Sequence, residues 1–152
     1  MKKFELTSEF ITNISGTKLF RIKALVEFGN IKAGELGGYI EKEKNLDQDG
    51  DAWVYGNAEV YGDAEVYGNA KVCGNAKVYG NADYAYAHGF GSEYRTTTFF
   101  RLKNGDVGVR CGCFYGTIQE FRDKVRATHK ETKKAKEYLM LADLMELRFL
   151  KE

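Results

Sequence analysis

A six-residue pattern of apolar, aromatic, small and polar positions repeats through the middle of the chain. Five consecutive units follow it, with Cys in place of Tyr in one of them, and they begin at Val54, Val60, Val66, Val72 and Val78. The Val of each unit and the Ala four places later are predicted to point inward, because these apolar positions recur. Gly and then Asn or Asp lie between them, and these residues tolerate the backbone angles of a tight corner better than others.

Three units are expected to complete one coil, so that residues eighteen apart stack in register. The repeat over 51–86 therefore predicts a mainly β fold built on a left-handed parallel β-helix, a solenoid. Stacking places Glu59 beside Lys77, an opposite-charge pair, and Trp53 beside Lys71 in a cation–π contact. Aromatic residues are enriched at interfaces, and a binding surface is predicted from Trp53, Tyr55, Tyr67 and the stacked pair Tyr61 and Tyr79. Stabilisation of the stack between coils is an equal explanation for the tyrosines.

The repeat is predicted to end in bulky residues that close the core. Tyr84 stands where a Val is expected, His88 stands where an Ala is expected, and Phe90 follows. The inward positions of a further coil could not hold such side chains without overpacking, so His88 is expected to cap the last coil. Upstream of the repeat, 4–14 and 18–25 are predicted as strands that lead into it.

An Asn104-Gly105 pair between two alternating segments predicts a β-hairpin after the repeat. Asn-Gly is the strongest short signal for a two-residue turn, and such a turn would pair Phe100 with Val109. This register places Cys111 and Cys113 together on the apolar face, where we expect them to serve packing.

Two helices are predicted to follow the hairpin. Thr117 and Glu120 have the spacing of a capping box that opens the first helix, and the second helix covers 133–150. From Tyr138 onward the second helix is apolar on nearly all sides, which favours an oligomer contact. The predicted contact residues are Tyr138, Leu141, Met145 and Phe149. The predicted domains are 1–92, with the strands and the repeat, and 93–152, with the hairpin and the helices.

The charge balance and the cysteine content indicate which binding partners and which cellular locations are not expected for this chain. The 23 Lys and Arg residues balance 22 Asp and Glu residues, so nucleic-acid binding is not indicated and no global field attracts a membrane. The three cysteines do not make a disulfide framework. No apolar run is long enough to span a bilayer, and the first residues lack the pattern of a signal peptide. A cytoplasmic protein is therefore expected.

The repeat resembles the hexapeptide-repeat family, whose fold is a left-handed β-helix that often trimerises. Many members of that family are acyl-CoA-dependent acyltransferases, and some are metal-dependent γ-type carbonic anhydrases. The wider chain is similar to a narrower group of bacteriophage and gut-bacterial proteins, which are commonly labelled transferases. Three motifs carry this likeness: Leu36-Gly-Gly-Tyr-Ile-Glu41, the Val-Tyr-Gly-Asn-Ala units, and Arg110-Cys-Gly-Cys-Phe-Tyr-Gly116. It implies a bacterial cytoplasm, or that of a phage's host cell, as the location.

The number and the positions of the histidines help to distinguish a catalytic function from a binding function. An anhydrase-type metal site needs three His ligands, and the chain has two His residues, so no metal site is predicted. The resemblance implies a His as the base of an acyltransferase with acetyl-CoA, and His88 is the one candidate within the repeat. His129, which lies between the two predicted helices, is expected to interact with helix-end carbonyls.

Three functions stay open at this point. The leading hypothesis is a non-catalytic binding and oligomerisation scaffold without a cofactor, which forms a homo-oligomer and binds a macromolecular partner. If the likeness to phage proteins holds, the chain acts as an inhibitor of host defence by binding a host protein or a signalling nucleotide. The first alternative is an acyl-CoA-dependent acyltransferase, and the second is a structural virion or assembly protein.

Overall fold

Three β-sheets and two C-terminal α-helices make up the computed structural model, which describes residues 1–150. The strands are β1 (Phe4–Thr12), β2 (Lys18–Ala24), β3 (Leu36–Ile40), β4 (Trp53–Val54), β5 (Glu59–Val60), β6 (Lys71–Val72), β7 (Lys77–Val78), β8 (Tyr84–Phe90), β9 (Arg95–Arg101), β10 (Val107–Cys111) and β11 (Phe114–Thr117). Short 3₁₀ helices cover Glu43–Asn45 and Asn81–Asp83. The helices are α1 (Ile118–His129) and α2 (Lys133–Phe149).

The largest sheet joins antiparallel and parallel strands in the order β1-β2-β3-β5-β7. β1, β2 and β3 are antiparallel neighbours, whereas β3, β5 and β7 run parallel. β4 and β6 form a separate parallel ladder. β8 to β11 form an antiparallel sheet in the order β11-β10-β9-β8. The two strands predicted before the repeat are confirmed as β1 and β2.

The predicted left-handed parallel β-helix is wrong as the fold of this chain. β4, β5, β6 and β7 are each two residues long, and within residues 1–150 no sheet closes or continues as a solenoid. Five hexads amount to fewer than two coils of three. Antiparallel strands need only short connections, so the segments on both sides of this short repeat form hairpins. The first hairpin makes the largest sheet mixed, and the strands after the repeat form a separate antiparallel sheet.

The eighteen-residue offset between stacked repeat positions is confirmed. Glu59 pairs with Lys77 across β5 and β7, and the rings of Tyr61 and Tyr79 stack with their centroids 5.8 Å apart. The ion pair predicted for Glu59 has a different partner, because its carboxylate lies 2.8 Å from the Nζ of Lys103. The repeat therefore sets the backbone register, and a residue from the following hairpin neutralises the charge.

The inward positions of the repeat are confirmed except at its end. The Val and Ala side chains that are fully buried are Val54, Ala58, Val60, Ala64, Val66, Ala70, Val72, Ala76 and Val78. Ala82, the last Ala of the pattern, is exposed. The chain has entered the 3₁₀ helix Asn81–Asp83 at this point, so the position no longer faces the core.

A second apolar core lies between the antiparallel sheet and the two helices. Phe99 and Val109 of the sheet belong to the same cluster as Phe121 and Val125 of α1 and the inner face of α2. The predicted capping box at the start of α1 is confirmed. The N–H of Glu120 donates to the Oγ1 of Thr117 at 3.2 Å, and the N–H of Thr117 donates to the Oε1 of Glu120 at 2.9 Å.

The predicted hairpin forms, but its register is one residue away from the prediction. Val109 pairs with Phe99 and not with the residue that follows Phe99. The loop has three residues rather than two, because the N–H of Leu102 donates to the carbonyl of Asp106 at 2.8 Å. Gly105 closes this loop with a φ of +91°, a common geometry for three-residue hairpin loops.

A nearly buried ion pair ties the end of the repeat to β9. The Nε of Arg101 donates to the Oδ1 of Asp83 at 3.1 Å, and these side chains are 14% and 9% exposed. The same guanidinium donates to the carbonyl of Phe149 at 3.2 Å. Arg101 therefore connects the repeat, the second sheet and the end of α2.

We expect Arg101→Met to lower the free energy of unfolding by about 3 kcal/mol, because it leaves the Asp83 carboxylate buried without its cation. Urea denaturation followed by circular dichroism measures this change. Arg148→Met is the matched control, since Arg148 is exposed on α2 and should change stability by less than about 0.5 kcal/mol. Equal losses in the two variants would contradict the role given to the Asp83 pair.

Ala64→Leu should destabilise the chain by about 1–3 kcal/mol, because three additional carbon atoms must enter a fully packed interior. Ala64 is 0% exposed, and thermal unfolding measures the effect. Ala82→Leu changes the same position of the pattern at an exposed site and should be nearly neutral. A melting temperature that Ala64→Leu leaves unchanged would show that Ala64 does not pack inward.

Candidate functional site

A groove opens between the β4–β6 ladder and the start of β9. Its volume is about 300 Å³, and its lining residues are Gly29, Asn30, Ile31, Asp51, Tyr55, Asn69, Lys71, His88, Arg95, Thr96 and Gly112. Residues from the N-terminal loop, the repeat and the hairpin sheet therefore meet at one place, which the sequence alone did not indicate.

Two contacts fix the walls of the groove. The backbone N–H of Lys71 donates to the Oγ1 of Thr98 at 3.0 Å, which holds β6 against β9. Gly112 has a φ of +59°, and a Cβ at this position would overlap the guanidinium of Arg95. Glycine at 112 therefore allows Arg95 to lie against the turn between β10 and β11.

Positive charge predominates around the groove. Lys71 and Arg95 line it. Arg110 lies behind its wall, where the guanidinium is 4.8 Å from the centre of the Tyr55 ring. None of these three cations forms a salt bridge with a residue in the described range 1–150. Among the lining residues, Asp51 supplies the one carboxylate.

Burial lowers the pKa of Lys71 below its ordinary value. Desolvation is the largest cause, Arg110 and Arg95 act in the same direction, and Asp51 opposes them. Burial also raises the pKa of the Tyr55 hydroxyl beside it. An ammonium that is half removed from water and crowded by guanidinium groups carries an electrostatic cost, and a bound anion would relieve that cost.

His88 lies on the surface, and its predicted inward position at the end of the repeat is wrong. It is exposed on β8, where it pairs with Thr96 of β9. Its Nδ1 lies 2.7 Å from the Oγ1 of Thr96. β8 pairs in an antiparallel manner with β9 instead of continuing the parallel stack, so the side chain leaves the core and lines the groove.

Trp53 does not contribute to the predicted aromatic surface, because it is fully buried. Its ring makes edge contacts with Phe4 and Phe28, at centroid distances of 6.4 and 5.3 Å. β1 and the loop after β2 cover the face of the repeat that the sequence predicted to be open. The register partner Lys71 is confirmed, but the predicted cation–π contact with it is not formed.

The tyrosines of the predicted surface fall into separate groups. Tyr55 is half-buried beside the groove. Tyr61 and Tyr79 form the stacked pair described above, and Tyr67 makes an edge contact with Tyr86 at 5.7 Å. Tyr67 and Tyr79 are each about half exposed. A binding role for these tyrosines stays a prediction.

The buried face of α2 includes three of the four predicted oligomer contacts. Tyr138, Met145 and Phe149 pack against their own chain, and Leu141 is half-buried. Their prediction as an intermolecular contact is therefore wrong for the three buried residues. The antiparallel sheet supplies more apolar surface than the sequence indicated, so α2 has an intramolecular face to cover.

The opposite face of α2 carries a second apolar group. Met140, Leu144 and Leu147 are 71%, 56% and 67% exposed, and their spacing of four and three residues places them on one side of the helix. Neither α1 nor α2 combines the length and the apolar character that a membrane-spanning helix needs.

Cys111 and Cys113 do not share a packed face, which corrects the prediction for them. Cys113 is exposed in the turn after β10, whereas Cys111 is half-buried and its Sγ accepts a hydrogen bond from the Oγ1 of Thr97 at 3.3 Å. Both line a pocket of about 270 Å³ with Tyr138 and His129. Among residues 1–150 no three His, Cys, Asp or Glu side chains are grouped as metal ligands.

Arg95 and Thr96 are groove residues that the sequence analysis missed. Both stand at the start of β9, and their signal in the sequence is only that they precede the apolar pair Phe99 and Phe100. A pattern within one segment shows that a strand begins there. It does not show that β6 of the repeat lies beside that strand.

Comparison with known proteins gives a partial likeness. No family model matches the chain. A segment of it is 37% identical over 62 residues to YdcK, an uncharacterized acetyltransferase of Escherichia coli (strain K12). The match covers 36% of this chain and 19% of the relative, so the chain spans about a fifth of the length of the curated relative it matches. The chain is thus similar to part of a protein that is named an acetyltransferase, which fits a hexapeptide-repeat transferase likeness at most.

Proposed function

We propose that the chain is a non-catalytic binding scaffold that self-associates through the outer face of α2, defined by Met140, Leu144 and Leu147. The observation that carries this proposal is the exposure of these three large side chains, 71%, 56% and 67%, on one face of one helix. An apolar stripe on a helix that already has a buried face is typical of a surface that another protein covers.

The charges along α2 favour a second copy of the chain as the occupant of this face. Lys133, Lys134 and Lys136 lie in the first turns, with Glu137 beside them. Asp143 and Glu146 lie in the second half, where they share the guanidinium of Arg122 of α1 at 2.8 and 2.7 Å and are followed by Arg148. Two copies of α2 in an antiparallel arrangement would place the lysines of each beside the two carboxylates of the other, where they would add to the single cation that these carboxylates share. A two-fold contact uses the same patch on both subunits, so one helix face serves both copies. The paired scaffold would then present its sheets to a macromolecular partner.

We expect Leu144→Glu to shift the chain from dimer to monomer at micromolar concentration, because it places a carboxylate at the centre of the apolar contact. Sedimentation velocity over a dilution series measures the shift. Leu144 is exposed within its own chain, so thermal stability should not fall below that of a monomeric wild-type chain.

Leu36→Glu is the matched control, since Leu36 is 53% exposed at the start of β3, outside α2. This variant should sediment as the wild type does. A wild-type chain that sediments as a monomer at every micromolar concentration would contradict self-association, and equal dissociation by both variants would contradict the assignment to α2.

An acyl-CoA-dependent acyltransferase is the second candidate. The position of His88 favours it, since its Nδ1 lies 2.7 Å from the Oγ1 of Thr96 beside an open groove. The partial likeness to a named acetyltransferase fits this candidate no better than it fits the scaffold. A general base needs a partner that fixes its tautomer and a space for its substrate. In this candidate His88 would accept the proton of the acceptor group.

Titration calorimetry with acetyl-CoA, together with an assay of acetyl transfer, separates the two candidates. The scaffold proposal expects no acetyl transfer to small amine or hydroxyl acceptors, whether or not acetyl-CoA binds. His88→Gln should change the free energy of unfolding by less than about 0.5 kcal/mol, because the side chain is exposed. Micromolar binding with transfer that His88→Gln abolishes, and that the control His129→Gln retains, would favour the acyltransferase.

A further inference from the structure

We infer that the groove between β6 and β9 is a binding site for a small phosphate-bearing anion, of which pyrophosphate is the simplest example. The groove shares no residue with the outer face of α2. The inference therefore stands whether or not the chain self-associates.

The cations of the groove outnumber its carboxylates, since Asp51 is the one acidic residue among the lining residues. Lys71 and Arg95 approach it from two different sheets, and Arg110 stands behind the Tyr55 wall. No salt bridge within residues 1–150 neutralises any of the three. Surface lysines usually extend their ammonium groups into water, but Lys71 is half-buried. An anion with more than one charge would supply what the protein does not.

The neutral groups of the groove also suit an oxygen-rich ligand. Asn69 and Thr96 bring an amide and a hydroxyl to its wall. The Nδ1 of His88 forms a hydrogen bond with the hydroxyl of Thr96. Within the described residues the Nε2 of His88 makes no hydrogen bond. Phosphate oxygens accept several hydrogen bonds at once, and guanidinium groups bind them in a bidentate manner. A volume of about 300 Å³ is that of a small-molecule site.

Asp51 offers a test in which a substitution should strengthen anion binding, whereas substitutions of the cations should weaken it. It is the carboxylate on the groove wall, and it raises the pKa of Lys71 by its charge. If the site binds an anion, Asp51 repels that anion. Removal of its charge should therefore strengthen binding, a result that damage to the fold would not produce.

Titration calorimetry with sodium pyrophosphate at low ionic strength measures the affinity of the wild type. Lys71→Met and Arg95→Met should each weaken it about tenfold, since each removes a charge-assisted hydrogen bond. Lys23→Met is the matched control, because Lys23 is an exposed lysine of β2 outside the groove, and it should bind as the wild type does. Asp51→Asn should tighten binding about threefold.

Thermal melts of each variant identify any that fails to fold, and Arg95→Met tests the site if the half-buried Lys71 does not tolerate replacement. Parallel titrations with inorganic phosphate and with adenosine diphosphate distinguish a free phosphate from a nucleotide as the source of the anion. The inference is overturned if the wild type shows no saturable binding of any of these anions at about 10 mM. It is also overturned if Lys23→Met loses as much affinity as the groove variants, or if Asp51→Asn binds more weakly.

Discussion

The structure depends on the register in which apolar side chains three repeat units apart stack on one another and on Ile40 of β3. Ile40 pairs with Val60, Val60 pairs with Val78, and all three are fully buried. Side chains alternate between the two faces of a strand, so a slip by one residue would turn Val60 outward and bring Glu59 or Tyr61 into the core. Burial of this apolar column therefore holds the parallel strands in place, although each of them contributes only two residues.

That register also decides where the antiparallel sheet attaches. The hydroxyl of Tyr84 donates to the carbonyl of Glu65 at 2.5 Å, and the N–H of Lys103 donates to the carbonyl of Asn75 at 2.9 Å. Both acceptors are backbone groups of the repeat, and their positions follow from the stacking. The start of β9 then lies beside β6, and the groove with Arg95 is formed between the two sheets. The groove therefore exists only where the repeat and the antiparallel sheet meet, and neither of them forms it alone.

Predictions from the sequence were correct for features set by residues close together in the chain. They were wrong for features set by contacts between distant segments. The inward Val and Ala positions from Val54 to Val78, the eighteen-residue offset, the capping box and both helices follow from local spacing, and all are found in the structure. The solenoid was wrong because the hairpins on both sides compete for strand edges. Trp53 and His88 were misplaced for the same reason: β1 covers the first, and β9 takes the second out of the core. The apolar pattern of α2 likewise does not show which face packs inward, because that face is set by contact with the antiparallel sheet.

The two surfaces differ in the force that would bring a ligand to them. The outer face of α2 is apolar, and contact between apolar faces is strengthened by salts that are excluded from protein surfaces. The groove is lined by Lys71 and Arg95, with Arg110 behind the Tyr55 wall. Attraction between a ligand and partly exposed charges weakens over a screening length of about 8 Å at physiological ionic strength. Raising the salt concentration would therefore favour one contact while it weakens the other. The proposed self-association and the proposed anion binding are thus separable by experiment, because they share neither residues nor physical origin.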